Sequence, residues 1–270
     1  MSLFQPAKKS QAKARIGMVG VSGSGKTMTA LRVAHGLADG KPIAVIDTEH
    51  NSASLYASET LRFDVCNLKS FEPDNYIKAI EAADAAGYAV IVIDSLSHAW
   101  SGKGGILEMV DKVGKKQGGG NFSAWRDATP LHNKLVDAIL AARCHVIVTM
   151  RSKTEYVVEN VNGRTTVRKV GLQPVQRDGM EYEFTISGDV TADHDYIITK
   201  TRAAFLKDQI IREAGEDLGR QIAQWINDGE PLPAPQPPVY KPPTQPAADI
   251  SDTLARIAAA STSCLLYTSD

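Results

Sequence analysis

The segment Gly20-Val21-Ser22-Gly23-Ser24-Gly25-Lys26-Thr27 constrains this chain more than any other stretch. It reads G-x-x-x-x-G-K-T, the pattern of a phosphate-binding loop. An apolar-leaning run, Arg15 to Val19, precedes it, and Met28, Leu31, Val33, Ala34 and Leu37 follow at helical spacing. A strand, a glycine-rich turn and a helix are therefore predicted in the order such a loop requires. Glycines at 20, 23 and 25 let the backbone curl so that successive N–H groups face a β-phosphate, and the helix N-terminus adds its dipole. The candidate nucleotide-binding residues are thus Gly20, Ser22, Gly23, Ser24, Gly25, Lys26, Thr27 and Met28. Lys26 is placed for the β- and γ-phosphates, and the Thr27 hydroxyl for Mg²⁺.

The stretches that follow alternate. Pro42 to Asp47 is a buried-strand pattern, Leu61 to Leu68 a shorter one, and Pro73 to Gly87 an amphipathic helix stopped by glycine. Tyr88-Ala-Val-Ile-Val-Ile-Asp94 is the strongest strand, a continuous apolar run suited to the centre of a parallel sheet. Gly102 to Gly120, rich in glycine and lysine, reads as a mobile loop; Ala124 to Ala142 reads as a helix and His145 to Thr149 as another buried strand. Strands alternating with helices predict an α/β fold with a mostly parallel sheet. The pattern then changes. Tyr156 to Val161, Asn162-Gly163 and Arg164 to Val170 read as a β-hairpin, and Glu181 to Ser187 and Asp195 to Thr201 as two antiparallel strands. Gly215 to Asp228 reads as a closing helix.

Two carboxylates stand at predicted strand ends. Asp94, after four apolar residues, is a candidate to orient Mg²⁺ beside the phosphate loop. Glu49, in Ile46-Asp47-Thr48-Glu49-His50, is a candidate to polarise the water that attacks a γ-phosphate, or simply a solvated carboxylate. His98 and His145 have no metal-ligand spacing and read as structural, which leaves Mg²⁺ as the expected metal.

The order of the phosphate loop, then Ile46-Asp47-Thr48-Glu49-His50, then Val92-Ile93-Asp94-Ser95, resembles the RecA/RadA recombinase core over roughly residues 15 to 210. That resemblance implies a RecA-like P-loop fold with a C-terminal antiparallel extension and ATP as the nucleotide. It also implies Glu49 as water-activating base, Tyr56 as the ring that stacks on adenine, and Lys200 and Arg202 as cations reaching a neighbouring subunit's γ-phosphate. Where the family carries a γ-phosphate-sensing glutamine, this chain reads Thr149-Met150-Arg151, so Arg151 is a candidate for part of that role. The family's N-terminal oligomerisation helix is not evident in Met1 to Ala14. Asp94-Ser-Leu-Ser-His-Ala-Trp100, Thr149-Met-Arg-Ser-Lys-Thr-Glu-Tyr156 and Gln176-Arg-Asp-Gly179 are more closely similar to phage RecA-like ATPases of the short "Sak-four" single-strand-annealing type. This implies self-association into an oligomer or filament, single-stranded DNA as ligand, and a single-strand-binding protein as partner of the C-terminal tail.

In a RecA-like core two loops face the DNA. Here the first carries Lys103, Lys112, Lys115 and Lys116 near Trp100, Phe122 and Trp125, and the second carries Arg151, Lys153, Arg164, Arg168 and Lys169. Cations that track phosphate and rings that stack on bases suit sequence-tolerant binding of single strands. Lysine-rich loops that are merely solvated are the plain alternative. The net charge is −1, so any basic surface is local.

Residues 1 to 14 read as an arm, 15 to 229 as the ATPase domain, 230 to 247 as a linker carrying eight of the thirteen prolines, and 248 to 270 as a tail whose last eight residues fit no preceding pattern. Three cysteines without disulfide or metal spacing, no signal-peptide pattern and no membrane span predict a cytoplasmic protein, in the host cytoplasm if phage-encoded. Two rivals stay open: a P-loop ATPase acting on a protein partner, as an assembly or packaging factor without DNA affinity, and a small-molecule kinase. The kinase is disfavoured by the absence of a lid-like arginine cluster.

Overall fold

The structure is a computed structural model, and it describes residues 12–117, 122–161 and 164–229. The chain divides after Leu232 into two units, and every described residue belongs to the first. The N-terminal arm up to residue 11, the Asn162-Gly163 turn, the proline-rich linker and the tail lie outside the described residues.

Among the described residues there are nine strands: β1 (Arg15–Gly20), β2 (Ile43–Asp47), β3 (Asp64–Asn67), β4 (Val90–Asp94), β5 (His145–Val161), β6 (Arg164–Pro174), β7 (Ile186–Val190), β8 (Tyr196–Thr201) and β9 (Ile210–Ile211). Six α-helices accompany them among the same residues: α1 (Lys26–Ala38), α2 (Pro73–Ala85), α3 (Ser97–Ser101), α4 (Ile106–Gln117), α5 (Phe122–Ala141) and α6 (Glu216–Asn227). The sheet order is β3-β2-β4-β5-β1-β7-β8-β9, with β6 attached to β5. The strands from β3 to β7 in this order run parallel, and β8, β9 and β6 are antiparallel to their neighbours. The expected α/β class and its antiparallel C-terminal side are both present.

Period-two alternation decides the two faces. In β4, Val90 and Val92 join a core with α1 and α6, while Ile91 and Ile93 join the opposite core with α2 and α5. With both faces covered, β4 is buried along its length, which is why it is apolar from Val90 to Ile93 before it ends in Asp94.

Four expectations need correction. The glycine- and lysine-rich stretch is mostly helix: Ile106, Val110 and Val113 recur at four- and three-residue spacing and pack with Ala124 and Ala128. Trp100 and Trp125, read as candidate base-stacking rings, pack in this same cluster with their centroids 5.8 Å apart. The strand predicted from Glu181 begins only at Ile186, because Met180–Glu183 is a 3₁₀ turn that buries Met180, with Phe184 buried just after it. The hairpin is longer than predicted, since β5 runs without a break from the core into its outer arm.

Candidate nucleotide site

The site lies at the C-terminal ends of β1, β2 and β4, beside Thr149 to Arg151 within β5, where the parallel sheet gathers its loops and a helix N-terminus. A cleft of about 630 Å³ there is lined by Ser22, Gly23, Gly25, Lys26, Thr27 and Met28 together with Glu49, Tyr56, Asp94 and Arg151. Gly23 and Gly25 have φ near 81° and 85°, a left-handed backbone that glycine adopts without strain. Gly20 and Ser24 do not line the cleft. They lie behind the loop, where a Cβ on Gly20 would meet Val190 O at 2.5 Å and Ser24 Oγ at 2.7 Å.

Lys26 is buried and donates from Nζ to Val21 O at 2.7 Å across the loop. Burial pushes its ammonium below the usual lysine range, while Asp94 and Glu49 pull it back up. Thr27 Oγ1 donates to Asp94 Oδ2 at 2.6 Å, and Thr149 Oγ1 donates to Oδ1. Burial raises the Asp94 carboxyl, and the two hydroxyls oppose that shift. Thr27 and Asp94 thus present two hard oxygens side by side at the foot of the loop. This donor set fits a small divalent cation.

Glu49 is fixed from three directions. The Asp47 carboxylate accepts from Glu49 N at 2.6 Å and Ala53 N at 2.9 Å, which shapes the turn after β2 and the 3₁₀ turn bearing Tyr56. Ser95 Oγ donates to Glu49 Oε1 at 3.3 Å, and the Arg151 guanidinium grips both oxygens, with Nε at 2.9 Å from Oε1 and Nη2 on Oε2. Burial alone would raise this carboxyl, but the hydrogen bonds and charge of Arg151 hold it below the usual glutamate range. Behind it, Thr48 Oγ1 accepts from Ser95 N at 2.8 Å and sits 2.8 Å from His98 Nδ1, and His98 stacks on Phe71.

Other candidates lie elsewhere. Lys200 and Arg202 sit at the far end of β8, outside this cleft; Lys200 Nζ donates to Tyr182 O at 2.6 Å and to Phe184 O. Lys103 and Lys115 are exposed, Lys112 pairs with Glu108 at 2.6 Å, and Lys116 lies on α4 with its side chain outside the described residues. Lys153 is exposed on β5. Arg164, Arg168 and Lys169 lie on β6, opposite Val161, Val157 and Tyr156, with their side chains likewise outside the described residues. Arg151, counted among the DNA-facing cations, belongs instead to the nucleotide cleft.

Thr149 and His194 were not foreseen from the sequence. Thr149 carried a signal only as a polar residue ending an apolar strand, and His194 carried none. Among the described residues no helix is long and apolar enough to cross a membrane, and no cluster of three or more His, Cys, Asp or Glu stands ready for a metal ion.

A comparison with curated proteins found no match. A family model described as an AAA domain matches residues 12–210, which span the phosphate loop, both carboxylates and all of β8. The chain belongs to this family of P-loop ATPases.

Proposed function

We propose that the protein hydrolyses ATP with Mg²⁺ and couples this to single-stranded DNA. The observation that carries the ATPase half is the convergence of Lys26, Thr27, Asp94 and Glu49 on one cleft. Lys26 and the loop N–H groups bind the phosphates, and Tyr56, 38% exposed at the rim, offers its ring to the base. Thr27 and Asp94 would hold Mg²⁺, which supplies positive charge against the phosphates when bound. Glu49 orients the attacking water and accepts its proton, with Ser95 and Arg151 fixing the carboxylate meanwhile.

The DNA half is supported by two cation-bearing elements that start at the site. Leu96 N donates to Thr149 O at 3.0 Å and Arg151 N donates to Ser97 Oγ at 2.9 Å, so α3–α4 and the β5–β6 hairpin leave from one hydrogen-bonded junction. With the tryptophans packed inward, binding rests on charge more than on ring stacking. Lys200 and Arg202 lie outside their own cleft, which suits action on a second copy's γ-phosphate in an oligomer. Lys200→Ala then lowers turnover and leaves ATP affinity intact; unchanged turnover would remove this role.

The deciding test is ATP turnover with and without unstructured single-stranded DNA at two salt concentrations. Stimulation that fades as salt rises supports the DNA reading. Turnover indifferent to DNA, with no binding at low salt, favours a protein partner instead. A single-strand-binding protein remains the proposed partner of the tail, to be tested by its capture on the full chain and not on a chain ending at 229.

A further inference from the structure

The turn joining β7 to β8 is organised by Thr191. Its N–H donates to Asp195 O at 2.9 Å, its carbonyl accepts from His194 N at 3.0 Å, and its hydroxyl accepts from Asp195 N at 3.2 Å. These bonds hold His194 at φ 66°, in the left-handed region that few residues with a side chain adopt. The imidazole lies against the phosphate loop, with Nδ1 3.0 Å from Ser24 O. A carbonyl oxygen only accepts, so Nδ1 carries the proton and donates. The same Nδ1 would lie 2.8 Å from a Cβ on Gly25, so ring and loop are in close contact at the Ser24–Gly25 peptide. His194 lines the cleft that holds Lys26, Glu49 and Asp94.

We infer that His194 is a positioning residue of the nucleotide site, which anchors the Ser24 carbonyl and thereby sets the Gly25 N–H as a donor to the nucleotide's phosphates. In a trans peptide the C=O and N–H point in opposite directions. Holding Ser24 O on the imidazole therefore turns the Gly25 N–H the other way. Gly25, at φ 85° with no side chain, has a backbone that would otherwise sample several orientations. Fixing one before the ligand arrives removes an ordering cost from binding, and the effect falls on ADP and ATP alike because it acts on the loop rather than on the γ-phosphate. The inference rests on the nucleotide-binding reading above. It extends that reading to a residue 170 positions from the loop.

Two variants separate the hydrogen bond from the turn. His194→Gly keeps the left-handed backbone and removes the donor; His194→Asn keeps an amide donor and also tolerates the backbone. Calorimetric dissociation constants for ADP and ATP, with melting temperatures of the ligand-free chains, are the readouts. His194→Gly is expected to weaken both nucleotides about five- to tenfold at an unchanged melting temperature, and His194→Asn to stay within about twofold of the unaltered protein. Tight binding by His194→Gly, or an equal loss in both variants, overturns the role. If the unaltered chain binds neither nucleotide, the underlying reading fails and this one fails with it.

Discussion

The parallel sheet has a cleft at each end, with a buried cation beside each. At the C-terminal ends of the strands, Lys26 stands in the cleft of about 630 Å³. At the opposite ends, Arg15 lies beneath a cleft of about 750 Å³ lined by Lys41, Asp84, Arg143 and His145. Volume alone would choose the wrong end. Arg15 is 6% exposed, and its two Nη atoms donate to Ala14 O, Cys144 O, Leu140 O and Ala142 O, so its charge serves the chain's own carbonyls. Lys26 is as deeply set at 9%, yet only one of its three ammonium protons is directed to a carbonyl, that of Val21. The histidines divide in the same way. His145 accepts from Ala14 N at 3.0 Å, and burial, joined by the charges of Lys13, Arg15 and Lys41, pushes its pKa down to about 3. His98 sits behind Glu49. One end is a brace and the other a site.

The sharpest way to break this contrast is to remove each cation. Lys26→Ala is expected to cut phosphate release about a thousandfold or more while the circular dichroism spectrum stays native. Turnover near that of the unaltered protein would show that the cleft had been misread. Arg15→Met should do the reverse: normal turnover at low temperature, but a domain less stable by about 3 kcal/mol in denaturant titrations, because buried carbonyls lose their donors. Activity lost without any loss of stability would place Arg15 in the chemistry.

The next test concerns pH. The folded pKa of His145, at about 3, lies below its unfolded value, so between these limits the unfolded chain binds the extra proton. Its contribution is complete above about pH 6.5 and falls as pH drops, by up to ~1.4 kcal/mol per pH unit. His145→Asn should flatten that slope in acid unfolding and leave turnover at pH 7.5 unchanged. An unaltered slope would mean that other groups carry the acid sensitivity.

Much of the site could be read before the fold. The loop from Gly20 to Thr27, Asp94 at the end of an apolar strand and Glu49 just past another are each set by neighbours a few residues away, where spacing and geometry are tied. Gly20 and Ser24 belong to the same motif yet face away from the cleft, because a one-dimensional pattern does not say which side of a turn meets the ligand. The lysine-rich stretch read as a loop because glycine and charge dominate its composition. Three apolar residues at helical spacing sufficed to bury one face of α4 against α5.

The sequence by itself determined the P-loop, the apolar strands beneath it, the two carboxylates at their ends and the two-residue spacing of the β5–β6 hairpin. Tertiary structure alone decided what those carboxylates touch. Because β5 lies between β1 and β4, the stretch where it leaves them delivers Thr149 to Asp94 and Arg151 to Glu49, partners 55 and 102 residues apart. Because β7 pairs with β1 on the other side, the turn after it brings His194 onto Ser24. Periodicity fixes which face of a strand is buried. Only the order of strands in the sheet fixes which distant side chains meet at its edge, and that order follows from packing both faces of the whole sheet at once.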